Sequence, residues 1–222
     1  HSSAASDVYK RQPSYWVEEA LSADYRSALG SAFSAFAAHI RDRGWDSTIF
    51  EFYLNNKVYN RQKVQQNSAP WVFDEPVNTQ DFWALRLYGQ LWQEAVAPFR
   101  SDAALWFRAD VSYSQYARNL LWWIMDVEYT GGNSPQKVRM KQDEWRLWET
   151  WNYFEYGSPN KLEDANTQPV LWCLSAWSNG AIGVLPWQTI GNEKSWETAD
   201  QNALFYPQKC YQRFKNQPKS SI

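Results

Sequence analysis

The alternation of helical and strand-like segments constrains the fold of this chain more than any other feature. Five segments of strand length are rich in aromatic and β-branched residues, which is the composition of buried strands. They are Thr48–Leu54, Leu105–Asp110, Trp122–Glu128, Trp151–Tyr156 and Ile182–Trp187. Apolar residues at helical spacing lie before and between them. Such alternation predicts parallel βα units, and therefore an α/β fold.

The helices in this pattern begin and end at ordinary helix signals. Gly44 follows the first helix as a C-terminal glycine, Asn78 is the expected N-cap of the second, and Pro98 closes that second helix. The predicted helices are Tyr15–Arg43, Asn78–Val96, Ser112–Asn119, Lys137–Trp148, Asn166–Asn179 (expected to be buried) and Asp200–Phe205.

Two architectures fit five parallel strands. A (β/α)8 barrel needs about eight strands, so the chain would be the C-terminal part of a barrel, with about five βα units. A five-stranded doubly wound sheet is the alternative. No G-x-G-x-x-G motif follows a strand, so the fingerprint of a dinucleotide-binding domain is lacking.

The chain is expected to hold one domain. Residues 1–12 begin with His1 rather than Met and read as an artefactual or disordered segment, which leaves residues 13–222 for the partial barrel. No stretch approaches 18 uncharged apolar residues, so no transmembrane helix is expected. Nothing in the sequence assigns a cellular compartment.

Charge and composition exclude several classes of function. A net charge of −2 gives no electrostatic reason to bind nucleic acid or an anionic membrane. Cys173 and Cys210 have no metal-site spacing and are expected to be buried free thiols, with a single disulfide between them as the alternative. With only His1 and His39 as histidines, a Ser-His or His-metal site is improbable and no cofactor is expected, although a carboxylate-bound Ca²⁺ stays open. Carboxylates remain as the candidate acid–base groups.

The adjacent carboxylates Asp74 and Glu75 are the main candidates for chemistry. They follow the apolar run Trp71-Val72-Phe73 and precede Pro76, after a long polar loop at Asn55–Ala69. In a chain with 15 Trp and 13 Tyr, such a pair suggests carbohydrate chemistry, since aromatic faces stack on sugar rings. The alternative is that acids near a helix start serve only in capping.

Polar and aromatic residues also end the other predicted strands. The carboxyl ends of parallel strands share one edge, where barrel enzymes place their sites. Tyr153, Tyr156 and Trp187 are candidates for a sugar platform, with Asn152 and Asp110 as contacts to hydroxyl or amide groups. Arg108 is expected to pair with Asp110 or Asp126.

Several segments together resemble a known group of enzymes, glycoside hydrolase family 123 and the related domain of unknown function 4091. The resemblance covers about Tyr15 to Pro207. It is carried by His39-Ile40-Arg41-Asp42-Arg43-Gly44-Trp45, Phe73-Asp74-Glu75-Pro76, Phe107-Arg108-Ala109-Asp110-Val111-Ser112, Trp151-Asn152-Tyr153 with Tyr156-Gly157, and Trp172–Trp187.

The resemblance implies a (β/α)8 barrel in which the visible strands are the fourth to the eighth. It also implies retaining hydrolysis of 2-acetamido sugars, with the substrate's own amide as nucleophile. Glu75 would then be the general acid and base, and Asp74 would orient the acetamido group and stabilise the positive intermediate. The alternatives are a non-catalytic carbohydrate-binding barrel, or a conventional glycosidase that pairs Glu75 with Asp126 or Glu155.

Overall fold

The computed structural model describes residues 16–56, 71–111, 120–121, 123–130, 149–153, 167–178 and 181–185, with single residues at 190, 193 and 205. The chain divides into two compact units. The described residues from 16 to 129 belong to the first unit, and those from 130 onwards to the second. Both units combine helices with parallel strands, so the predicted α/β class is confirmed at that level.

The described part of the first unit contains the α-helices α1 (Val17–Ala20), α2 (Ala23–Asp42) and α3 (Thr79–Val96), and a short 3-10 helix at Ala97–Phe99 follows α3. The single helix predicted from Tyr15 is therefore divided. Ser22 divides it, because its hydroxyl oxygen accepts the N–H of Tyr25 and so caps a new helix. Gly44, with a φ of 64°, follows α2 as predicted.

The described strands of the first unit form a parallel ladder in the order β1 (Ile49–Tyr53), β2 (Ala104–Asp110) and β3 (Val127–Thr130), and only the last residue of β3, Thr130, is assigned to the second unit. In this register Tyr53 lies beside Arg108, and Asp110 lies beside Tyr129. Side chains alternate along a strand, so residues two apart share a face of the sheet.

One face of this sheet packs against α2 and α3. The ring of Phe52 stacks on Trp92 of α3 at 5.0 Å and meets Phe33 of α2 edge-on at 4.6 Å. Phe107 of β2 is fully buried in the same core. The opposite face carries the charged and phenolic residues Glu51, Tyr53, Arg108, Asp110 and Tyr129.

The third strand begins later than the sequence predicts. Trp122 lies outside the described residues, and the segment that follows it forms a turn. The N–H groups of Ile124 and Met125 both donate to the carbonyl of Leu121, and Trp123 has a φ of 63°. The apolar composition of this segment reflects a turn in which Leu121, Ile124 and Met125 are buried while Trp123 is 77% exposed.

The second unit contains β4 (Glu149–Tyr153), α4 (Gln168–Ser178) and β5 (Ala181–Leu185), and β4 pairs with β5 in parallel. The helix was expected to be buried, but Trp177 is 76% exposed. Cys173 on that helix is an exposed free thiol, so the prediction that it is buried is wrong. No described helix is long and apolar enough to cross a membrane.

The remaining sequence predictions lie largely outside the described residues. They are the helices Ser112–Asn119 and Lys137–Trp148, the strand ends Phe154–Tyr156 and Pro186–Trp187, and all of Asp200–Phe205 except Phe205. Phe205 itself is not helical.

Gly89 of α3 permits the helix to approach β2 closely. A Cβ atom there would lie 2.6 Å from Cε1 of Phe107 and would also overlap Cγ2 of Ile124. We expect Gly89→Ala to lower the free energy of unfolding by about 1–3 kcal/mol, measured by urea denaturation. Gly30→Ala in α2 is the control, because nothing lies within 4 Å of its added Cβ. The free energy of unfolding of this control variant should rise by about 0.5–1 kcal/mol. Equal effects at the two positions would contradict the close packing.

Candidate functional site

The segment formed by residues 71–78, here named the Asp-Glu loop, is attached to the carboxyl ends of two strands. The N–H groups of Phe73 and Asp74 donate to the carbonyl of Asn56 at 2.8 and 3.1 Å, just beyond β1. The N–H of Glu75 donates to the carbonyl of Asp110, the last residue of β2, at 3.0 Å. The loop therefore lies where the active sites of parallel α/β barrels are found.

The two ends of the polar segment between β1 and the Asp-Glu loop lie next to each other. The side-chain amide of Asn56 donates to the carbonyl of Trp71. Residues 57–70, which lie outside the description, thus join two points that are hydrogen-bonded to each other. In space, Asp74 and Glu75 directly follow the first strand.

Glu75 has an unusual backbone conformation. Its φ of 60° lies in the left-handed region, which disfavours residues with a Cβ by about 1–2 kcal/mol. Asp74 and Glu75 also precede α3, whose N-cap is Asn78. The acid of the capping box at the start of this helix is Asp81, whose carboxylate accepts the N–H of Asn78.

On the sheet face away from the helices, Arg108 is bound by two carboxylates. Its Nε and Nη2 atoms donate to Oδ1 and Oδ2 of Asp110 at 2.7 and 2.8 Å, and Nη1 donates to Oε2 of Glu51 at 3.3 Å. The side chains of these three residues are only 12–19% exposed. The predicted pairing of Arg108 with Asp110 is confirmed.

Two tyrosines enclose the same guanidinium group. The Cζ atom of Arg108 lies 4.2 Å from the ring centre of Tyr53 and 3.6 Å from that of Tyr129. The hydroxyl of Tyr129 donates to Oε1 of Glu51 at 2.9 Å. We name Glu51, Tyr53, Arg108, Asp110 and Tyr129 the sheet-face network.

The electrostatics of this network keep both phenols protonated. Burial raises the pKa of Tyr53, and the negative charges of Asp110 and Asp74 raise it further. Burial likewise raises the pKa of Tyr129, with Glu51 as the next cause. Burial by itself lowers the pKa of Arg108, but the hydrogen bonds and charge of Asp110 outweigh it, so the net shift is upward. The effect of Asp74 on Tyr53 shows that the loop and the network are electrostatically connected.

The predicted site residues divide into two groups. Asp74, Glu75 and Asp110 are brought together at one edge of the sheet. Asn152 and Tyr153 lie on β4 of the second unit, with side chains outside the description. Tyr156 and Trp187 lie outside the described residues altogether.

The sequence patterns used above did not identify three residues of the network, which are Glu51, Tyr53 and Tyr129. The signal that could have revealed them is the polar or phenolic residue repeated at two-residue spacing, as in Glu51-Phe52-Tyr53 and Arg108-Ala109-Asp110.

Asp126 has a different environment from the other acids. Its carboxylate accepts the N–H of Phe107 at 2.7 Å, the amide of Gln93 at 2.8 Å, and Arg100 at 2.9 Å. It lies immediately before β3, at the opposite end of that strand from the Asp-Glu loop. Its role is to extend the ladder between β2 and β3.

The site combines adjacent carboxylates with a paired cation and neutral phenols. The described residues contain no group of three His, Cys, Asp or Glu side chains arranged to hold a metal ion. No protein-family model, curated protein or solved structure matches the chain. The arrangement is suited to proton transfer by a carboxylate and to stabilisation of positive charge.

Removing the cation of the sheet-face network should be costly. Arg108→Met leaves Asp110 and Glu51 without their shared partner, and we expect a loss of about 2–4 kcal/mol in the free energy of unfolding. Arg41→Met is the control, because the Arg41–Asp42 pair is exposed, and it should cost less than about 1 kcal/mol. Urea denaturation measures both variants, and equal losses would refute the network's contribution.

The raised pKa values of Tyr53 and Tyr129 predict instability in alkali. Below about pH 10 both tyrosines are protonated in the folded and unfolded states, and their contribution is complete. Above it, the unfolded chain loses protons that the folded protein retains, so the free energy of unfolding falls as pH rises. The Tyr53→Phe/Tyr129→Phe variant should show a shallower fall between pH 9 and 11 by urea denaturation. An unchanged slope would contradict this origin.

Proposed function

We propose that this chain carries the catalytic carboxylates of a retaining glycoside hydrolase that acts on 2-acetamido sugars by substrate assistance. Glu75 is the general acid and base, and Asp74 is its partner. The observation that carries the proposal is the placement of Glu75, which lies in a left-handed conformation and donates its N–H to the carbonyl at the end of β2. Strained residues held at such positions cluster in active sites.

We also propose that the strands are part of a (β/α)8 barrel. A doubly wound parallel sheet is covered by helices on both faces and is apolar on both. Here the face with Phe52 and Phe107 is mainly apolar, with Glu128 as its buried charged residue, and the other bears the sheet-face network near the carboxyl ends of its strands. In a barrel that second face is the interior, whose upper end forms the site.

In the proposed reaction, the acetamido oxygen of the substrate attacks the anomeric carbon. The glycosidic bond breaks as Glu75 gives its proton to the leaving oxygen, which leaves a positively charged oxazolinium ion. Glu75, now a carboxylate, takes a proton from water while that water attacks the anomeric carbon. This attack opens the oxazolinium ring and restores the acetamido group. The product retains its configuration, and Glu75 regains its proton.

Asp74 supports the intermediate through its charge and its hydrogen-bonding oxygen atoms. It orients the acetamido N–H and stabilises the positive charge that develops beside it. Asp110 and Glu51 add negative charge nearby, and Arg108 offsets part of it. Asp110 is proposed as a substrate contact, and Asn152, Tyr153, Tyr156 and Trp187 of the second unit stay sequence-based predictions.

A conventional pair of carboxylates formed by Glu75 and Asp126 is less well supported. The Asp126 carboxylate is occupied by Phe107, Gln93 and Arg100 at the start of β3, whereas Glu75 lies beyond the end of β2. Glu155, the other proposed partner, lies outside the described residues.

The role of Glu75 is tested with two aryl leaving groups on 2-acetamido sugars. In the full-length gene product, Glu75→Gln should lower kcat/KM at least about 100-fold for a 4-methylumbelliferyl glycoside. The loss should be smaller for a dinitrophenyl glycoside, since a good leaving group needs little protonation. Asp74→Asn should be impaired with both, because its role does not depend on the leaving group.

Controls separate this mechanism from the alternatives. Glu94→Gln on the exposed side of α3 should retain wild-type activity. Full activity of Glu75→Gln would overturn the assignment. Equal turnover of plain hexosides would exclude substrate assistance in favour of a conventional glycosidase. Sugar binding without any turnover by folded wild-type protein would identify a carbohydrate-binding barrel.

A further inference from the structure

Asp81 is a fully buried carboxylate in the first turn of α3, which begins directly after the Asp-Glu loop in the sequence. It is 0% exposed. Its Oδ1 atom accepts the N–H of Val72 at 3.1 Å, and its Oδ2 atom accepts the N–H groups of Val77 and Asn78 at 3.3 and 3.0 Å. Burying a charge is unfavourable unless such hydrogen bonds satisfy it.

Helix capping accounts for only one of these three bonds. The acid at the third position of a helix ordinarily reaches back to the N–H of the N-cap residue, which is Asn78 here. The other two bonds hold Val72 and Val77, which lie on either side of Asp74 and Glu75. One carboxylate therefore joins the two ends of the loop that carries the pair.

The bonds from Asp81 complete the fixation of the loop backbone. Phe73 and Asp74 donate to the Asn56 carbonyl, and Glu75 donates to the Asp110 carbonyl. With the three donors to Asp81, each backbone N–H from residue 72 to residue 78 has an acceptor, and Pro76 has no N–H to satisfy. A backbone bound at every position can hold Glu75 in its left-handed conformation.

We propose that Asp81 is a positioning residue that sets the geometry of Asp74 and Glu75 without contacting the substrate. Its catalytic consequence rests on the function proposed above, but its effect on the loop does not. Displacing a catalytic group by about 1 Å can cost 100-fold in rate. Loss of the Asp81 carboxylate should therefore impair turnover more than binding.

Asp81→Asn tests the proposal, because the amide keeps the size of the side chain but replaces one acceptor with a donor. Hydrogen exchange should show about tenfold or greater loss of protection at the amides of residues 72–75, 77 and 78, with β2 unchanged. With an aryl 2-acetamido sugar, kcat should fall about 10–100-fold while KM stays within about twofold.

Ser22→Ala is the matched control for a cap that serves only its helix. The Ser22 hydroxyl caps α2, and among the described residues its hydrogen bond is to Tyr25 and not to the Asp-Glu loop. We expect this variant to lose stability while keeping both loop protection and kcat. If Asp81→Asn behaves in the same way, with the loop still protected, Asp81 is only a helix cap and the proposal fails.

The remaining outcomes are also decisive. If the loop amides of Asp81→Asn lose protection while its kcat is unchanged, Asp81 does not position the catalytic pair and the proposal is overturned. If wild type is inactive, the proposed function fails, and hydrogen exchange alone decides whether Asp81 fixes the loop.

If Asp81→Asn does not fold, the wild type still provides a test. Its Val72, Val77 and Asn78 amides should be protected to within about tenfold of one another, and an unprotected member would refute the shared carboxylate.

Discussion

The register between β1 and β2 is the constraint on which the rest of the first unit depends. It places Phe52 and Phe107 on the face that the helices cover, and Tyr53 and Arg108 on the other. A shift of one residue would turn the charged side chains into the apolar core. Burial of Phe52 against Trp92 and the pairing of Arg108 with two carboxylates therefore favour the same register from opposite faces.

The candidate site inherits its geometry from that register. The carbonyls of Asn56 and Asp110, which receive the Asp-Glu loop, lie just beyond β1 and at the end of β2. Glu75 is thus placed by main-chain hydrogen bonds from two strands, while Asp81 ties the loop to the following helix. Positions built on strands and helices are held more accurately than positions on free loops.

The sequence predicted those parts of the fold that depend on local signals. Strong apolar periodicity and a capping residue located α3 to within one residue, and aromatic and β-branched composition at strand length located β1 and β2 similarly well. The pairing of Arg108 with Asp110 was predictable because residues two apart on a strand share a face. The contact of Glu51 with Tyr129 was not, since 78 residues separate them and only the strand order joins them. The late start of β3 was missed because a buried turn has the same apolar composition as a strand.

The hydrogen bond between the Asn56 side chain and the Trp71 carbonyl has an evolutionary consequence. Because the two ends of the intervening segment are held together, residues can be added to or removed from it without displacing Asp74 or Glu75. Closing a longer loop is inexpensive, since each doubling of its length costs only about 0.6 kcal/mol. The position of the carboxylate pair is thus independent of the length of the segment that precedes it.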